Sequence, residues 1–303
     1  MAIRILLSCQ HSVAYGGVQH NLLDIARHLD RSRFEPIALC SPQGELPQFL
    51  ARDNIEVRTI GGGAYWRYSH RQPLGTIKDV WAVAREIVRL ARSERVRIVH
   101  TFDGMVFFAA CLAKLQHREL RVVWLDSGFN LYPCYFRIIM RWCFRHAARV
   151  ATITNIRAQQ LSTEGLDLAK SVVIPNGTDF HLRRRPATGA PVLGSDPVIR
   201  VGIVGRIVPI KNFELFLRAA RLVAQTQPHV RFSIVGPPGL FESEIEYYHR
   251  VRDLTGLLRL TDLVTFHEPA ADIIPLLDSF DLLVSSSHLE TFGRTLIEAM
   301  ALS

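Results

Sequence analysis

The sequence predicts an α/β fold made of two doubly wound domains. Short apolar or β-branched runs alternate with amphipathic stretches of about 10 to 15 residues, which is typical of β-α units that form a parallel sheet. The alternation stops in the segment 181–197 and then starts again. Because such sheets bind ligands at the carboxyl ends of their strands, we expect two domains facing a cleft that holds the functional residues.

Each expected strand is a short run rich in valine, isoleucine or leucine. The expected strands of the first domain, 1–180, lie near 3–8, 36–39, 57–60, 98–101, 122–125, 150–153 and 172–174. Those of the second domain, 198–303, lie near 199–204, 232–235, 263–266 and 282–285, with helices from Asn212, after Glu242, near Ile273 and at the carboxyl end. The segment 181–197 is expected to be a linker because prolines and glycines interrupt it.

Composition indicates a globular protein of enzyme size. The chain has 303 residues, of which 48% are hydrophobic, and this is enough for two domains with their own cores. It contains no apolar run of about 18 uncharged residues and no apparent signal peptide, so we expect a cytoplasmic protein that is soluble or peripheral to a membrane. The five cysteines form no C-x-x-C pair, which argues against a zinc site and a disulfide framework.

Positive charge is concentrated in the first domain. Residues 1–180 hold 23 lysines and arginines against 15 acidic residues, whereas residues 181–303 hold 13 of each. This asymmetry suggests that the first domain meets an anionic membrane surface, a nucleic acid or a phosphorylated substrate. No nucleic-acid-binding module is recognisable, so nucleic acid is not an expected partner.

The most informative motif is the run 285–300 near the carboxyl end. Glu290 and Glu298 lie eight positions apart across a predicted loop-to-helix junction, with Gly293 between them. Glycine lets the backbone approach a ligand, the free N–H groups of the helix can receive phosphate, and carboxylates accept hydrogen bonds from sugar hydroxyls. The motif therefore predicts a sugar-nucleotide site, although both carboxylates could also be ordinary surface residues.

Two other motifs follow predicted strands. Gly16 and Gly17 precede a run with helical spacing of apolar residues, so they either open a helix that accepts an anionic group or form an ordinary turn. Arg206 and Lys211 follow the strand 199–204 and either neutralise a diphosphate or are solvated loop cations. Because no Asp-x-Asp pair is present to hold Mg²⁺ or Mn²⁺, we expect these cations to replace a metal, with no cofactor.

The segment 133–146 predicts a basic, aromatic-rich helix. Arg137, Arg141 and Arg145 recur at four-residue spacing among aromatic and aliphatic residues. Such a helix can lie on an anionic membrane, which would favour a lipid-linked or envelope glycan as a partner of the predicted sugar-nucleotide site. Alternatively, its apolar face belongs to the core and the arginines are simply solvated. The nearby loop 66–71 is rich in groups that stack on sugars.

Together these motifs resemble the retaining glycosyltransferases of the GT-B fold, of the family-four or group 1 type. The resemblance covers the whole chain and rests on the Gly16-Gly17 loop, the Ile-Pro-Asn-Gly run 174–177, Gly205-Arg206 with Lys211, Val235-Gly236, and the Glu290 to Glu298 motif with Phe292-Gly293 and Glu298-Ala299. It implies transfer of a hexose from a UDP- or GDP-linked donor to a glycan or lipid-linked acceptor by front-face attack, with retention of anomeric configuration.

The resemblance also implies roles for individual residues. Gly17 would contact the donor phosphate, Arg206 and Lys211 would clamp the diphosphate, Glu298 would bind the ribose and Glu290 would face the donor sugar. The full expected donor-binding set is Gly16, Gly17, Gly205, Phe292, Gly293, Arg294, Thr295 and Glu298, and the expected catalytic set is Arg206, Lys211, Glu290 and Asp126.

The sequence departs from the family pattern in two places. Many members have a histidine just after the fifth strand, where this chain has Asp126 and Ser127. We interpret Asp126 as a loop residue that is either a general base, a ligand of the acceptor or a structural residue. Relatives also continue beyond the position of Ser303, so we expect a fragment or a shortened enzyme. The alternatives are a nucleotide-sugar epimerase and a noncatalytic nucleotide-sugar-binding protein of the same fold.

Overall fold

The computed structural model describes most of the chain. The described residues are 2–9, 17–42, 44–60, 73–126, 128, 134–177, 198–239, 242–268 and 273–302. They divide between two units, Met1–Gly177 and Thr178–Ser303. Several sequence predictions fall outside the described residues, namely those on Gly16, Ser127, the loop 66–71 and the linker 181–197.

The first unit contains a parallel sheet of seven strands in the order β3-β2-β1-β4-β5-β6-β7. The strands are β1 Ile3–Ser8, β2 Phe34–Cys40, β3 Glu56–Thr59, β4 Ile98–Thr101, β5 Arg121–Asp126, β6 Arg149–Thr152 and β7 Ser171–Val173. The strand order reverses at β1 and β4, which is the switch point of a doubly wound sheet. The carboxyl ends of β5 and β6 therefore lie side by side, with Asp126 opposite Thr152.

Helices connect these strands. They are α1 Gly17–His28, α2 Leu46–Arg52, α3 Pro73–Ser93, α4 Gly104–Gln116, α5 Cys134–His146 and α6 Asn155–Thr163, followed by a 3₁₀ turn at Leu168–Lys170. The side chains of Asp103 and Thr154 cap α4 and α6 by accepting the N–H groups of Val106 and Arg157. Helix α4 is apolar on nearly all sides because it packs against β5 and between α3 and α5.

Aromatic side chains fill the centre of this core. Trp124 of β5 stacks on Phe107 of α4 with ring centroids 4.9 Å apart, and on Phe144 of α5 at 6.1 Å. All three side chains are fully buried. The stack joins the sheet to two helices, so it holds the carboxyl end of β5 in a fixed position.

The second unit contains a parallel sheet of four strands in the order β10-β9-β8-β11. Its elements are β8 Ile199–Val204, a 3₁₀ turn at Pro209–Lys211, α7 Phe213–Thr226, β9 Val230–Val235, α8 Glu242–Leu257, β10 Val264–His267, α9 Ile274–Asp278, β11 Leu282–Leu283 and α10 Arg294–Leu302. Two parallel sheets with interspersed helices confirm the predicted fold class. The predicted strand 282–285 is shorter than expected, since β11 covers Leu282–Leu283 and, among the described residues beyond it, only the N–H of Val284 continues the bonding to β8, at the carbonyl of Gly202.

The start of α7 was predicted correctly. Asn212 adopts a left-handed conformation, with φ of 51°, and its side-chain oxygen accepts the N–H of Leu215 at 3.3 Å. This cap ends the preceding 3₁₀ turn and begins the helix, so the turn has a defined position relative to α7. Within the part of the chain that the structure describes, no helix has the length and apolarity needed to cross a membrane.

Candidate active site

Two loops meet at the carboxyl ends of β8 and β9. Gly205 follows β8 with φ of +150°, and its N–H donates to the carbonyl of Val235 at 2.9 Å. Gly236, with φ of +144°, lies so close that a Cβ at that position would be 2.1 Å from the carbonyl oxygen of Gly205. Glycine is therefore required at Gly236 by both its conformation and its contact with backbone.

The run 235–239, which follows β9, also contacts the loop that follows β8. The N–H of Ile207 donates to the carbonyl of Pro237 at 2.9 Å, and Ile207 also bridges to Pro238. The two loops thus continue the pairing of β8 and β9 beyond the strands. This extension holds the segment that carries Arg206.

A third loop joins this pair from β11. The hydroxyl of Ser286 hydrogen-bonds to the carbonyls of Lys211 and Asn212, at 3.0 and 2.9 Å. The N–H of His288 donates to the carbonyl of Ile210 at 2.9 Å. The loop that carries Glu290 is therefore attached to the backbone of the turn that carries Lys211.

This attachment brings two predicted catalytic residues together. The ammonium of Lys211 lies 2.5 Å from Oε2 of Glu290, and the hydroxyl of Ser287 donates to the same oxygen at 3.2 Å. The two charged side chains are 27% and 30% exposed, so both can be reached by a ligand. A Cβ at Gly205 would be 3.6 Å from Cε of Lys211, which places that loop against the pair.

Glycine at Gly293 links Glu290 to the helix that follows. Gly293 has φ of +73°, a region that glycine occupies without strain, and its carbonyl accepts the N–H groups of Leu296 and Ile297 in the first turn of α10. A Cβ at this position would lie 3.4 Å from Cγ of Glu290. Gly293 therefore starts α10 immediately beside the Lys211–Glu290 pair, and the half-buried Phe292 and Thr295 flank it.

Glu298 lies one turn into α10 and pairs with Arg294. The Nε atom of Arg294 donates to Oε1 of Glu298 at 2.9 Å, and their side chains are 21% and 17% exposed. Arg206 differs from both ion pairs because its side chain is exposed and has no hydrogen-bond partner among the described residues. The second unit thus gathers Gly205, Arg206, Lys211, Glu290, Gly293, Arg294 and Glu298 around one set of loops.

The remaining predicted residues belong to the first unit. Gly17 is the first residue of α1, which is the first of the two alternatives for the glycine pair, and a Cβ built on it meets no other described residue within 4 Å. On the second turn of α1, the side-chain nitrogen of the buried Asn21 has no hydrogen-bond partner among the residues that the structure describes.

Asp126 is the last residue of β5, and its interpretation as a loop residue is wrong. Its side chain is fully buried and forms an ion pair with Nε of Arg157, on the first turn of α6. The N–H of Gly128 also hydrogen-bonds to this carboxylate. Burial raises the pKa of Asp126 to about 6, and the charge of Arg157 opposes that shift.

This pair connects two neighbouring crossovers at one edge of the sheet. Asp126 ends β5, and Arg157 follows the capping residue Thr154 beyond β6. A carboxylate that accepts from Arg157 and from the backbone at Gly128 holds the start of the loop after β5. Sequence analysis missed Arg157, Ser286 and Ser287, although the run of three serines from Ser285 was visible within the motif.

No group of three or more histidine, cysteine or carboxylate side chains suited to a metal ion occurs among the residues that the structure describes.

Comparisons with known proteins agree with this geometry. Residues 16–177 match the glycosyl transferase 4-like domain, and residues 194–303 match the glycosyl transferases of group 1. The chain therefore belongs to the group 1 glycosyltransferases, as the sequence motifs predicted.

Individual relatives are more distant. The chain is 27% identical over 296 residues to the D-inositol 3-phosphate glycosyltransferase of Saccharomonospora viridis, covering 91% of this chain and 62% of that protein. It is 34% identical over 162 residues to the enzyme of the same name from Mycolicibacterium gilvum, covering 51% of this chain and 35% of that protein. The chain thus spans less than two thirds of these relatives.

A solved structure shows the same fold. The crystal structure of Anabaena Alr3699/HepE in complex with UDP and glucose superposes with a TM-score of 0.77 at 22% identity, covering 99% of this chain and 78% of that one. The likeness confirms the GT-B fold class predicted from the sequence.

Proposed function

We propose that the protein is a metal-independent glycosyltransferase that moves a hexose from a UDP- or GDP-linked donor to a glycan or lipid-linked acceptor, with retention of anomeric configuration. The observation that carries this proposal is the Lys211–Glu290 pair, held beside Gly293 at the start of α10. The pair offers a cation and a carboxylate within one small site. A diphosphate joined to a sugar needs both kinds of group.

The charged groups of the second unit suit the parts of such a donor. Arg206 and Lys211 supply cations for the diphosphate, and the N–H groups that begin α10 add partial positive charge. Glu298 uses one oxygen for Arg294, so its second oxygen is available to ribose hydroxyls. Oxygen Oε1 of Glu290 is available in the same way for a hydroxyl of the transferred sugar.

In the proposed reaction, the bond between the sugar and the diphosphate breaks, and the diphosphate leaves with the electron pair. The acceptor hydroxyl forms the new bond on the same face, and its proton passes to the departing phosphate oxygen. Arg206 and Lys211 stabilise the negative charge that develops on the diphosphate, an effect worth about 3 kcal/mol for a well-placed donor. Asp126 has a positioning role, because a fully buried carboxylate paired with Arg157 does not reach an acceptor hydroxyl.

The donor proposal also draws support from the Anabaena protein, whose crystal structure contains UDP and glucose. UDP is therefore the first nucleotide to test. The experiment is a thermal-shift screen with UDP, GDP and ADP and their sugar conjugates, because a ligand that binds only the folded state raises the melting temperature. A shift with UDP, GDP or one of their conjugates supports the proposal, and no shift with any of these contradicts it.

Glu298→Ala is expected to reduce strongly the thermal shift that the wild-type protein shows. A hydrogen bond to a charged group contributes about 1.5 to 3 kcal/mol, so loss of the ribose contact weakens nucleotide binding by about tenfold or more. Titration calorimetry with the best nucleotide measures the change directly.

The matched control is Glu246→Ala, which removes an exposed glutamate from α8 of the same unit. We expect this variant to keep the wild-type shift. Nucleotide binding that is equal in the Glu298→Ala and wild-type proteins would remove the ribose role of Glu298.

We also propose that α5 contacts an anionic membrane surface, which fits a lipid-linked acceptor. One face of α5 is buried through Phe136, Met140, Cys143 and Phe144, so part of its apolar character belongs to the core. The opposite face exposes Arg137, Arg141 and Arg145, and the intervening Ile138 is 71% exposed. Helix α5 contains no acidic residue. An exposed apolar side chain among cations fits a phospholipid surface.

Replacing Arg137 and Arg145 together with glutamate is expected to reduce binding to anionic phospholipid vesicles by about tenfold or more. Each basic residue near such a surface contributes about 1 kcal/mol, and the reversal adds repulsion. Co-sedimentation with vesicles of anionic and of neutral lipid measures the effect. The control reverses Arg218 and Arg221 on α7, with the same change in net charge. Equal vesicle binding by the two double variants would contradict the proposal.

A further inference from the structure

The three consecutive serines before Glu290 have separate structural roles. Ser286 fastens the loop to the carbonyls of Lys211 and Asn212, as described above. Ser287 donates to Oε2 of Glu290 at 3.2 Å, and the hydroxyl of Ser285 approaches Ser287 at 3.4 Å. Only Ser287 therefore acts directly on a side chain that the proposed donor would contact.

The contacts of Glu290 are unevenly divided between its two oxygens. Oxygen Oε2 receives both the ammonium of Lys211 and the hydroxyl of Ser287. Oxygen Oε1 accepts no hydrogen bond from the residues with described positions, so it can accept one from a ligand. In the same way, the ammonium of Lys211 has three N–H donors and uses one of them on Glu290.

This division depends on Ser287. If the carboxylate has no other hydrogen-bond donor, a lysine ammonium can approach both of its oxygens at once. The ammonium is a compact charge and does not impose a fixed geometry on the carboxylate, as the planar guanidinium of arginine does. A second donor on Oε2 fixes the plane of the carboxylate and opposes that approach. With Ser287 in place, one oxygen binds within the protein and the other stays available.

We propose that Ser287 is a positioning residue for the sugar of a nucleoside diphosphate sugar, acting through Glu290. It keeps Oε1 of Glu290 available to a sugar hydroxyl while Lys211 keeps donors for the diphosphate. The inference rests on the proposed function, since it assigns to Ser287 the recognition of one part of the proposed donor. It predicts that loss of the Ser287 hydroxyl weakens binding of the sugar conjugate and changes binding of the free nucleoside diphosphate much less.

The experiment compares wild type with Ser287→Ala by titration calorimetry, using UDP and UDP-glucose and then GDP and GDP-glucose. For the nucleotide that binds wild type, we expect Ser287→Ala to weaken binding of the sugar conjugate about three- to tenfold, the effect of one lost hydrogen bond. Binding of the free nucleoside diphosphate should change less than about twofold. Ser287→Thr retains a hydroxyl and should bind the sugar conjugate as wild type does.

The matched control is Ser279→Ala, which removes a hydroxyl that donates to the carbonyl of Leu276 at the end of α9. This change removes one hydrogen bond of the same unit. It should leave unchanged the ratio between the dissociation constants of the sugar conjugate and of the free nucleoside diphosphate. A merely structural role for Ser287 would weaken both ligands equally, or neither, and either result overturns the inference while the proposed function stands. If wild type binds none of the four ligands, the proposed function itself fails.

Discussion

Arg157→Met is expected to lower the free energy of unfolding of the first unit by about 3 to 5 kcal/mol at pH 8. Arg157 is the cationic partner of Asp126, whose side chain is fully buried. Removing the cation leaves a carboxylate in the interior with only its remaining contacts, such as the N–H of Gly128. A buried charge without its counter-charge is among the few single changes that cost this much.

The decrease in the free energy of unfolding that Arg157→Met causes should become smaller as the pH falls. Burial already raises the pKa of Asp126 to about 6, from its ordinary value of 3.8, and without Arg157 that pKa rises further. Because the folded state then binds a proton that the unfolded state releases, the free energy of unfolding decreases as pH rises from about 4 through the folded pKa. At pH 5 the variant can protonate Asp126, so it should lie closer to wild type than at pH 8.

Tryptophan fluorescence measures this effect in the first unit alone. The four tryptophans of the chain are Trp66, Trp81, Trp124 and Trp142, all before residue 178. Urea titrations at pH 8 and pH 5 therefore report the unit that contains Arg157.

The control is Arg89→Met, which removes an exposed cation paired with Glu86 and should change stability by less than about 1 kcal/mol. A loss of similar size for both variants, or one that grows at pH 5, would show that the Asp126–Arg157 pair does not carry the stability assigned to it.

Gly236→Ala is expected to destabilise the second unit by at least about 3 kcal/mol. The added Cβ would meet the carbonyl oxygen of Gly205 at 2.1 Å and its carbonyl carbon at 2.7 Å. Both atoms belong to backbone that is tied to β9, so neither can move aside as a side chain can. The φ of +144° adds strain for any other residue.

Hydrogen exchange in β8 and β9 reports this change, because the loops at Gly205 and Gly236 extend the pairing of these strands. The control is Gly256→Ala in α8, where a Cβ meets nothing within 4 Å. Alanine favours a helix over glycine by up to about 1 kcal/mol, so the control should be neutral or stabilising. Wild-type protection of β8 in Gly236→Ala would mean that the two loops are not in backbone contact.

The regular part of this fold was predictable because each strand is a short apolar run between breaks. Strand β8 has the bounds expected from the run at 199–204, and Asn212 caps α7 as its residue type indicated. Strand β11 is shorter than predicted, and the hydroxyls of Ser286 and Ser287 beyond it bind the carbonyls of Lys211 and Asn212 and the carboxylate of Glu290. Hydrophobicity alone carries no information about such hydroxyl contacts.

The contacts within the site were less predictable because they join residues far apart in sequence. Lys211 and Glu290 were recognised separately as candidates, and their pairing depends on the loop that Ser286 attaches to the turn before Asn212. The burial of Arg157 could not be predicted from the sequence, since an arginine near the start of a helix is common on protein surfaces. Its burial follows from the alignment of β5 and β6, which places Asp126 beside it.

The most direct test of the account is a crystal structure of the protein with the UDP- or GDP-sugar that binds it. The account predicts a diphosphate in contact with Arg206 and Lys211, ribose hydroxyls on Glu298 and the sugar beside Glu290, next to the start of α10. A nucleotide bound away from the loops that follow β8 and β11, with the Lys211–Glu290 pair untouched, would contradict it.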